Sequence, residues 1–125
     1  MRFREIVAVA LGGGLGTLAR VGALEATEHL PQGEMLATVA ANTLGALGLA
    51  FVLARGLPEF PRWLRSGISV GFLGSYTTFS AIALLTVTET MAWGLGYLGV
   101  TLVTGILAVL VGRALGVAAR RGGPR

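Results

Sequence analysis

The chain has 125 residues, 54% of them hydrophobic and only 13% charged, with a formal net charge of +4. A water-soluble domain carries about 25% charged residues, so this composition describes an integral membrane protein whose length suits one domain, residues 1–125. With no cysteine, aspartate or lysine, disulfide and thiolate chemistry are excluded. All ten basic residues are arginines that flank apolar spans instead of forming a basic face, which argues against nucleic acid as a partner.

The first span is predicted from roughly Ile6 to Leu24. Arg2 and Arg4 precede it as in a signal peptide, but three more hydrophobic spans follow, so it is read as a retained anchor. Within it, Gly14-Leu15-Gly16-Thr17-Leu18-Ala19 fits a GxGxxA dinucleotide fingerprint. That fingerprint requires a strand-turn-helix unit in a parallel sheet, and the remaining spans leave no chain to build one. Arg20 lies near the end of this span. Its stem suits snorkelling to the interface, and its charge equally suits drawing an anion into a vestibule.

The second span, Met35 to Ala54, carries no charge. Asn42 is a carboxamide inside it, with Thr38 one turn earlier on the same face. Interhelical hydrogen bonding, common for polar residues in lipid, and donation of an N–H into a pore are both open readings.

The third span is uncharged from Ser66 to Thr88 and long enough to cross a bilayer. Its middle, Gly74-Ser75-Tyr76-Thr77-Thr78-Phe79-Ser80, is polar where lipid would prefer leucine. Backbone that leaves the helix at membrane depth is tolerated only inside protein or beside a water-filled cavity. The segment therefore points to an ion or substrate site. Released carbonyls suit a small cation, and the hydroxyls of Thr77, Thr78 and Ser80 suit an anion. Back-bonding that merely bends the helix is the structural alternative. Phe79 offers a positive ring edge that can face an anion without holding it too tightly for conduction.

The fourth span runs from about Met91 to Gly112 and ends at Arg113. Connections are predicted at Glu25–Glu34, at Arg55–Arg65 with Pro58 and Pro61, and as a tight turn at Glu89. The tail from Arg120 to Arg125 is expected to fray. Gly12 and Gly16, Gly67 and Gly71, and Gly112 and Gly116 are each four residues apart. This spacing lets helix backbones approach closely, within a subunit or across a dimer.

Four spans place the N-terminus, the second connection and the C-terminus on one side. That side holds Arg2, Arg4, Arg55, Arg62, Arg65, Arg113, Arg120, Arg121 and Arg125, leaving Arg20 toward the other with Glu25, Glu28, Glu34 and Glu89. The positive-inside rule then predicts a multi-pass protein of the cell membrane with both termini in the cytoplasm.

The chain resembles the Fluc (CrcB) fluoride channels of microbes over essentially its whole length. Four features carry the resemblance: GGGLGTLAR at 12–20, ANTLGALGLA at 41–50, GFLGSYTTFS at 71–80, and four spans in this size. It implies an all-α fold with a broken third helix, a subunit of an antiparallel dimer with two fluoride pathways. It further implies a structural, untransported sodium ion on the backbone carbonyls of Gly74 and Thr77. Asn42 would be the pore-lining asparagine, Phe79 the first phenylalanine of an aromatic box, Ser80 the start of a polar track, with Thr78 beside it, and Arg20 the vestibule arginine. The chain departs from the family pattern after Ser80: Ile82 replaces a second aromatic, Ala81 and Ala83 replace hydroxyl residues, and Ser75 replaces a glycine. Opposed insertion of one sequence requires little charge bias, whereas here nine arginines face one. The expectation is a heterodimer with an oppositely inserted paralogue, with a homodimer as the alternative, and one of the two pathways weakened.

Two other functions fit the residues less well. A small proton-coupled exporter needs a carboxylate embedded in the first span, and Glu5 and Glu25 both lie at span ends. A non-transporting scaffold subunit explains the glycines but not the polar break. No nucleophile–base pair supports an enzyme, and the single histidine, His29, lies in a connection.

Overall fold

The computed structural model describes residues 2–123. Four segments are helical and apolar enough to cross a membrane: Phe3–Thr27, Gly33–Arg55, Arg62–Thr88 and Met91–Arg121. The first two are the unbroken helices α1 (Phe3–Thr27) and α2 (Gly33–Arg55). The third is divided into α3 (Arg62–Ser66), a π-helical stretch Gly67–Leu73, α4 (Gly74–Tyr76) and α5 (Ser80–Thr88). The last helix, α6, runs through Met91–Arg121.

The helices exceed the predicted apolar spans because polar ends continue helical geometry past the hydrocarbon. At 1.5 Å per residue, α6 is about 46 Å long, well beyond a core of about 30 Å. Arg113, Arg120 and Arg121 ride on that extension. The tail is thus helical through Arg121, not frayed from Arg120, while Arg125 lies outside the described residues.

The three glycine pairs define two close helix pairs inside the subunit. Gly12 and Gly16 of α1 meet the π-helical stretch: a Cβ on Gly12 would strike the Gly67 carbonyl, and one on Gly16 the Phe72 carbonyl and the Ser75 hydroxyl. From the opposite side, a Cβ on Gly71 would lie 2.6 Å from the Val9 oxygen. Gly112 and Gly116 bring α6 onto α2 in the same way, against the carbonyls of Leu47 and Phe51. Association in lipid depends on such packing because apolar burial offers little drive.

Connections are short. Gly56 ends α2 with a left-handed φ of 78°, a conformation open to glycine. Arg65 Nη1 then donates to its carbonyl at 3.0 Å, tying the connection to α3. The buried Glu5 of α1 accepts from Arg62 Nε at 2.7 Å. With Gly116 seated on Phe51 and Ala54, this pair gathers the start of α1, the second connection and the far end of α6 at one end of the bundle. Many large apolar side chains, among them Leu15, Leu18, Val70, Leu84, Leu102 and Ile106, remain exposed on the outside.

Candidate functional site

The third span loses its helix at Thr77–Phe79. Thr77 is extended (φ −84°, ψ 157°) and ends α4, and Phe79 returns to helical geometry (φ −93°, ψ −34°) to start α5. An interrupted helix leaves backbone donors and acceptors without intrahelical partners. In a membrane each must be satisfied locally.

Asn42 of α2 satisfies the peptide at the break. Its Nδ2 donates to the Thr78 carbonyl at 2.9 Å, and its Oδ1 accepts the Thr78 N–H at 2.7 Å. The carboxamide therefore forms a two-bond bridge between α2 and the broken strand of chain, with one N–H left over. Of the two readings of Asn42, the interhelical bridge is the one these distances describe.

That bridge has a consequence for the carbonyls. In a continuous helix the Thr78 N–H would close onto Gly74 and the Ala81 N–H onto Thr77. Here Thr78 donates to Asn42, and Ala81 donates to the Thr78 hydroxyl at 3.3 Å. The carbonyl oxygens of Gly74 and Thr77 are thereby released from helical bonding. Both residues line one groove of about 680 Å³ between α2, the break and α6, together with Asn42, Thr78, Phe79 and Ile82. Neutral oxygen donors of this kind suit a hard cation.

The hydroxyls divide into two groups. Ser75 donates to Gly71 at 2.8 Å and Thr77 donates to Leu73 at 3.1 Å, so both are spent on their own helix. Thr78 and Ser80 pair with each other at 3.1 Å on the exposed side of the break. One of those two protons closes the pair and one remains to donate. Phe79, 78% exposed, stands beside them with its ring outward.

Two further hydroxyls, those of Tyr97 and Thr101, escaped the sequence reading, and Thr38 stood in it only as the neighbour of Asn42. Thr38, Tyr97 and Thr101 are buried between α2 and α6, and none of their oxygens has a hydrogen-bond partner among the described residues. The Tyr97 hydroxyl faces those of Thr38 and Thr101 without closing a bond. A buried polar group left unmatched costs about 1–3 kcal/mol, and all three hydroxyls keep a proton to donate. Thr101 also lines the groove at the break. The available signal was spacing: Tyr97 and Thr101 lie one helical turn apart on one face of a span whose other hydroxyl is Thr104.

Arg20 does not join the groove. It is half-buried in α1 and makes no ion pair among the described residues. The predicted residues thus form one cluster at the break, comprising Asn42, Gly74, Thr77, Thr78, Phe79 and Ser80, with Arg20 separate. Ile82 turns toward the cluster of Met35, Leu85 and Tyr97, so it fills apolar space where a second aromatic was absent. Ala81 and Ala83 contribute no polar group.

A family profile described as "CrcB-like protein, Camphor Resistance (CrcB)" matches residues 7–113. The "Fluoride-specific ion channel FluC 2" of Symbiobacterium thermophilum is 41% identical over 114 residues, covering 86% of this chain and 93% of that protein. The "Fluoride-specific ion channel FluC" of Stutzerimonas stutzeri is 38% identical over 119 residues, covering 90% and 96%. The "Fluoride-specific ion channel FluC 1" of Methanospirillum hungatei is 29% identical over 120 residues, covering 94% and 82%.

Proposed function

The chain belongs to the CrcB-like protein family, and from that premise we propose that it is a subunit of a fluoride-selective ion channel through which cytoplasmic fluoride leaves passively. It is a multi-pass membrane protein and not an enzyme. The observation that carries the reading is the set of three buried hydroxyls, Thr38, Tyr97 and Thr101, without partners among the described residues and close to the bridged break. A small anion must exchange its water for donors of this kind, and no carboxylate lines the adjoining groove to oppose it.

In this mechanism Arg20 raises the local anion concentration at one mouth through its positive charge. The ion exchanges water for the hydroxyls of Tyr97, Thr38 and Thr101 and passes the break beside the Phe79 ring edge, where the remaining Asn42 N–H and the free proton of the Thr78–Ser80 pair can donate. Each contact is weak and neutral, which permits exit as well as entry. Asn42 has a second duty, holding the break open by occupying the Thr78 peptide.

The released carbonyls of Gly74 and Thr77 fit a structural sodium ion, supplied with neutral oxygen ligands by the same bridge. When bound, such an ion adds a fixed positive charge at the break. The exposed groove and apolar flanks support assembly with a second, oppositely inserted subunit. The bias of nine arginines to one favours a paralogue as that partner and a cytoplasmic position for both termini in the cell membrane.

The deciding experiment is fluoride efflux from liposomes, read with a fluoride electrode, for the chain alone and with its paralogue. Rapid fluoride release with chloride retained is expected from the pair. Chloride release at the same rate, or no release from either folded sample, overturns the reading. Release from the chain alone establishes a homodimer and overturns the preference for a paralogue.

A further inference from the structure

Beside the junction of α1 and α3, at the arginine-rich end of the bundle, lies a cavity of about 360 Å³ lined by Arg2, Arg4, Glu5, Pro61, Arg62 and Trp63. Glu5 is buried at 4% exposure and fully engaged: one carboxylate oxygen takes Arg62 Nε at 2.7 Å and the other takes the Arg2 backbone N–H at 3.1 Å. Three guanidinium groups against that one carboxylate leave two positive charges on the cavity wall. Arg62 keeps its terminal nitrogens outward, with its side chain 82% exposed.

An apolar groove of about 300 Å³ continues from this cavity between the same two helices. Phe3, Val7, Ala8 and Leu11 line it, and Arg4 and Trp63 belong to both spaces. A basic cup that opens into an apolar trough, with an indole at the junction, matches a molecule carrying an anionic head on an acyl chain. Guanidinium forks suit phosphate oxygens, Trp sits at the membrane–water boundary, and basic recesses between membrane helices recognise anionic head groups.

We propose that this composite recess is a binding site for one anionic phospholipid, with the phosphate held by Arg2, Arg4 and the free edge of Arg62 and an acyl chain lying along Val7 and Leu11 past Trp63. Charge complementarity selects the occupant: a zwitterionic lipid carries its own cation into a wall that is already positive. The role of Glu5 is to orient Arg62 without cancelling the other two guanidinium groups. This site is independent of the anion pathway and lies apart from the groove at the break.

The test uses the full chain in nanodiscs with Trp93→Phe, which leaves Trp63 as the single indole of the two in the sequence. Quenching of Trp63 is titrated with brominated phosphatidylglycerol and with brominated phosphatidylcholine. A preference for the anionic lipid on the order of tenfold is expected, lost in Arg2→Gln/Arg4→Gln, which spares the Glu5–Arg62 pair. Circular dichroism of that variant confirms that it is folded. Arg4→Lys, which retains charge, is expected to keep most of the preference. Equal quenching by both lipids, or a preference unchanged in the folded double variant, overturns the proposal. So does loss of the preference on adding inorganic phosphate at matched ionic strength, which identifies a free-phosphate site. Absence of quenching by either lipid, as when a partner chain covers the recess, also overturns it.

Discussion

Asn42 concentrates two roles in one side chain, and substitutions separate them. Asn42→Ala removes both bonds to the Thr78 peptide and leaves a half-buried N–H and C=O unmatched. A loss of about 2–4 kcal/mol is expected from two such groups, seen as a lower thermal midpoint by circular dichroism, together with abolished efflux. An unchanged midpoint would mean that the break holds itself open without Asn42. The buried hydroxyls behave in the opposite way. Thr38→Val and Thr101→Val replace unpartnered oxygens with methyl groups of similar size, so stability should hold or rise. Fluoride efflux should nevertheless fall at least about tenfold, the cost of one lost donor of about 1.4 kcal/mol. Efflux at the parental rate in both variants would remove these hydroxyls from the pathway.

At the scale of elements, the close helix pairs predict an asymmetry among glycines that composition alone does not suggest. Gly12 abuts the Gly67 carbonyl, whereas no neighbouring atom approaches within 4 Å of a Cβ built on Gly13. Gly12→Val should force α1 away from the π-helical stretch and cost about 1–3 kcal/mol, as overpacking does. Gly13→Ala should be neutral or stabilising by about 0.5–1 kcal/mol through helix propensity. Urea or thermal titrations of the two variants in detergent test the pair. Equal effects would place the close contact elsewhere. The spacing of Gly12 and Gly16 was readable directly, because four residues bring two side chains onto one helix face. Which helix receives that face was not, and neither was the π-helical stretch before the break. Gly67-Ile68-Ser69-Val70-Gly71-Phe72-Leu73 carries no local pattern that distinguishes a wide turn from an α-helical one, and its geometry is set against α1.

For the whole molecule, charge asymmetry makes a prediction about insertion. The chain has no cysteine, so Gly122→Cys supplies one label at the arginine-rich end of the bundle. A membrane-impermeant maleimide should reach it only from the cytoplasmic side. Labelling from both sides in comparable amounts would indicate dual insertion and support a homodimer instead of a paralogue pair. Replacing sodium by N-methylglucamine during purification is expected to weaken subunit association, read by cross-linking or by mass photometry. Association unchanged after exhaustive exchange would argue that the carbonyls of Gly74 and Thr77 hold no structural cation.

Much of this protein is determined by the sequence alone. Four apolar stretches with arginine at their ends specify a multi-pass helical chain because hydrocarbon rejects charge and unpaired backbone over about 30 Å. The polar run from Gly74 to Ser80 marks the break for the same reason, since hydroxyls crowded at Ser75, Thr77, Thr78 and Ser80 are costly against hydrocarbon. The tertiary structure alone decided what each polar group does. Asn42 and Thr78 stand 36 positions apart, so their double bond exists only once α2 packs across the third span. Thr38, Tyr97 and Thr101 become a buried set only where α6 closes on α2. The Glu5 carboxylate, at a span end in the sequence, becomes buried only when Arg62 folds onto it. Periodicity and hydropathy are properties of a segment, whereas hydrogen-bond partners and burial depend on chain brought from elsewhere.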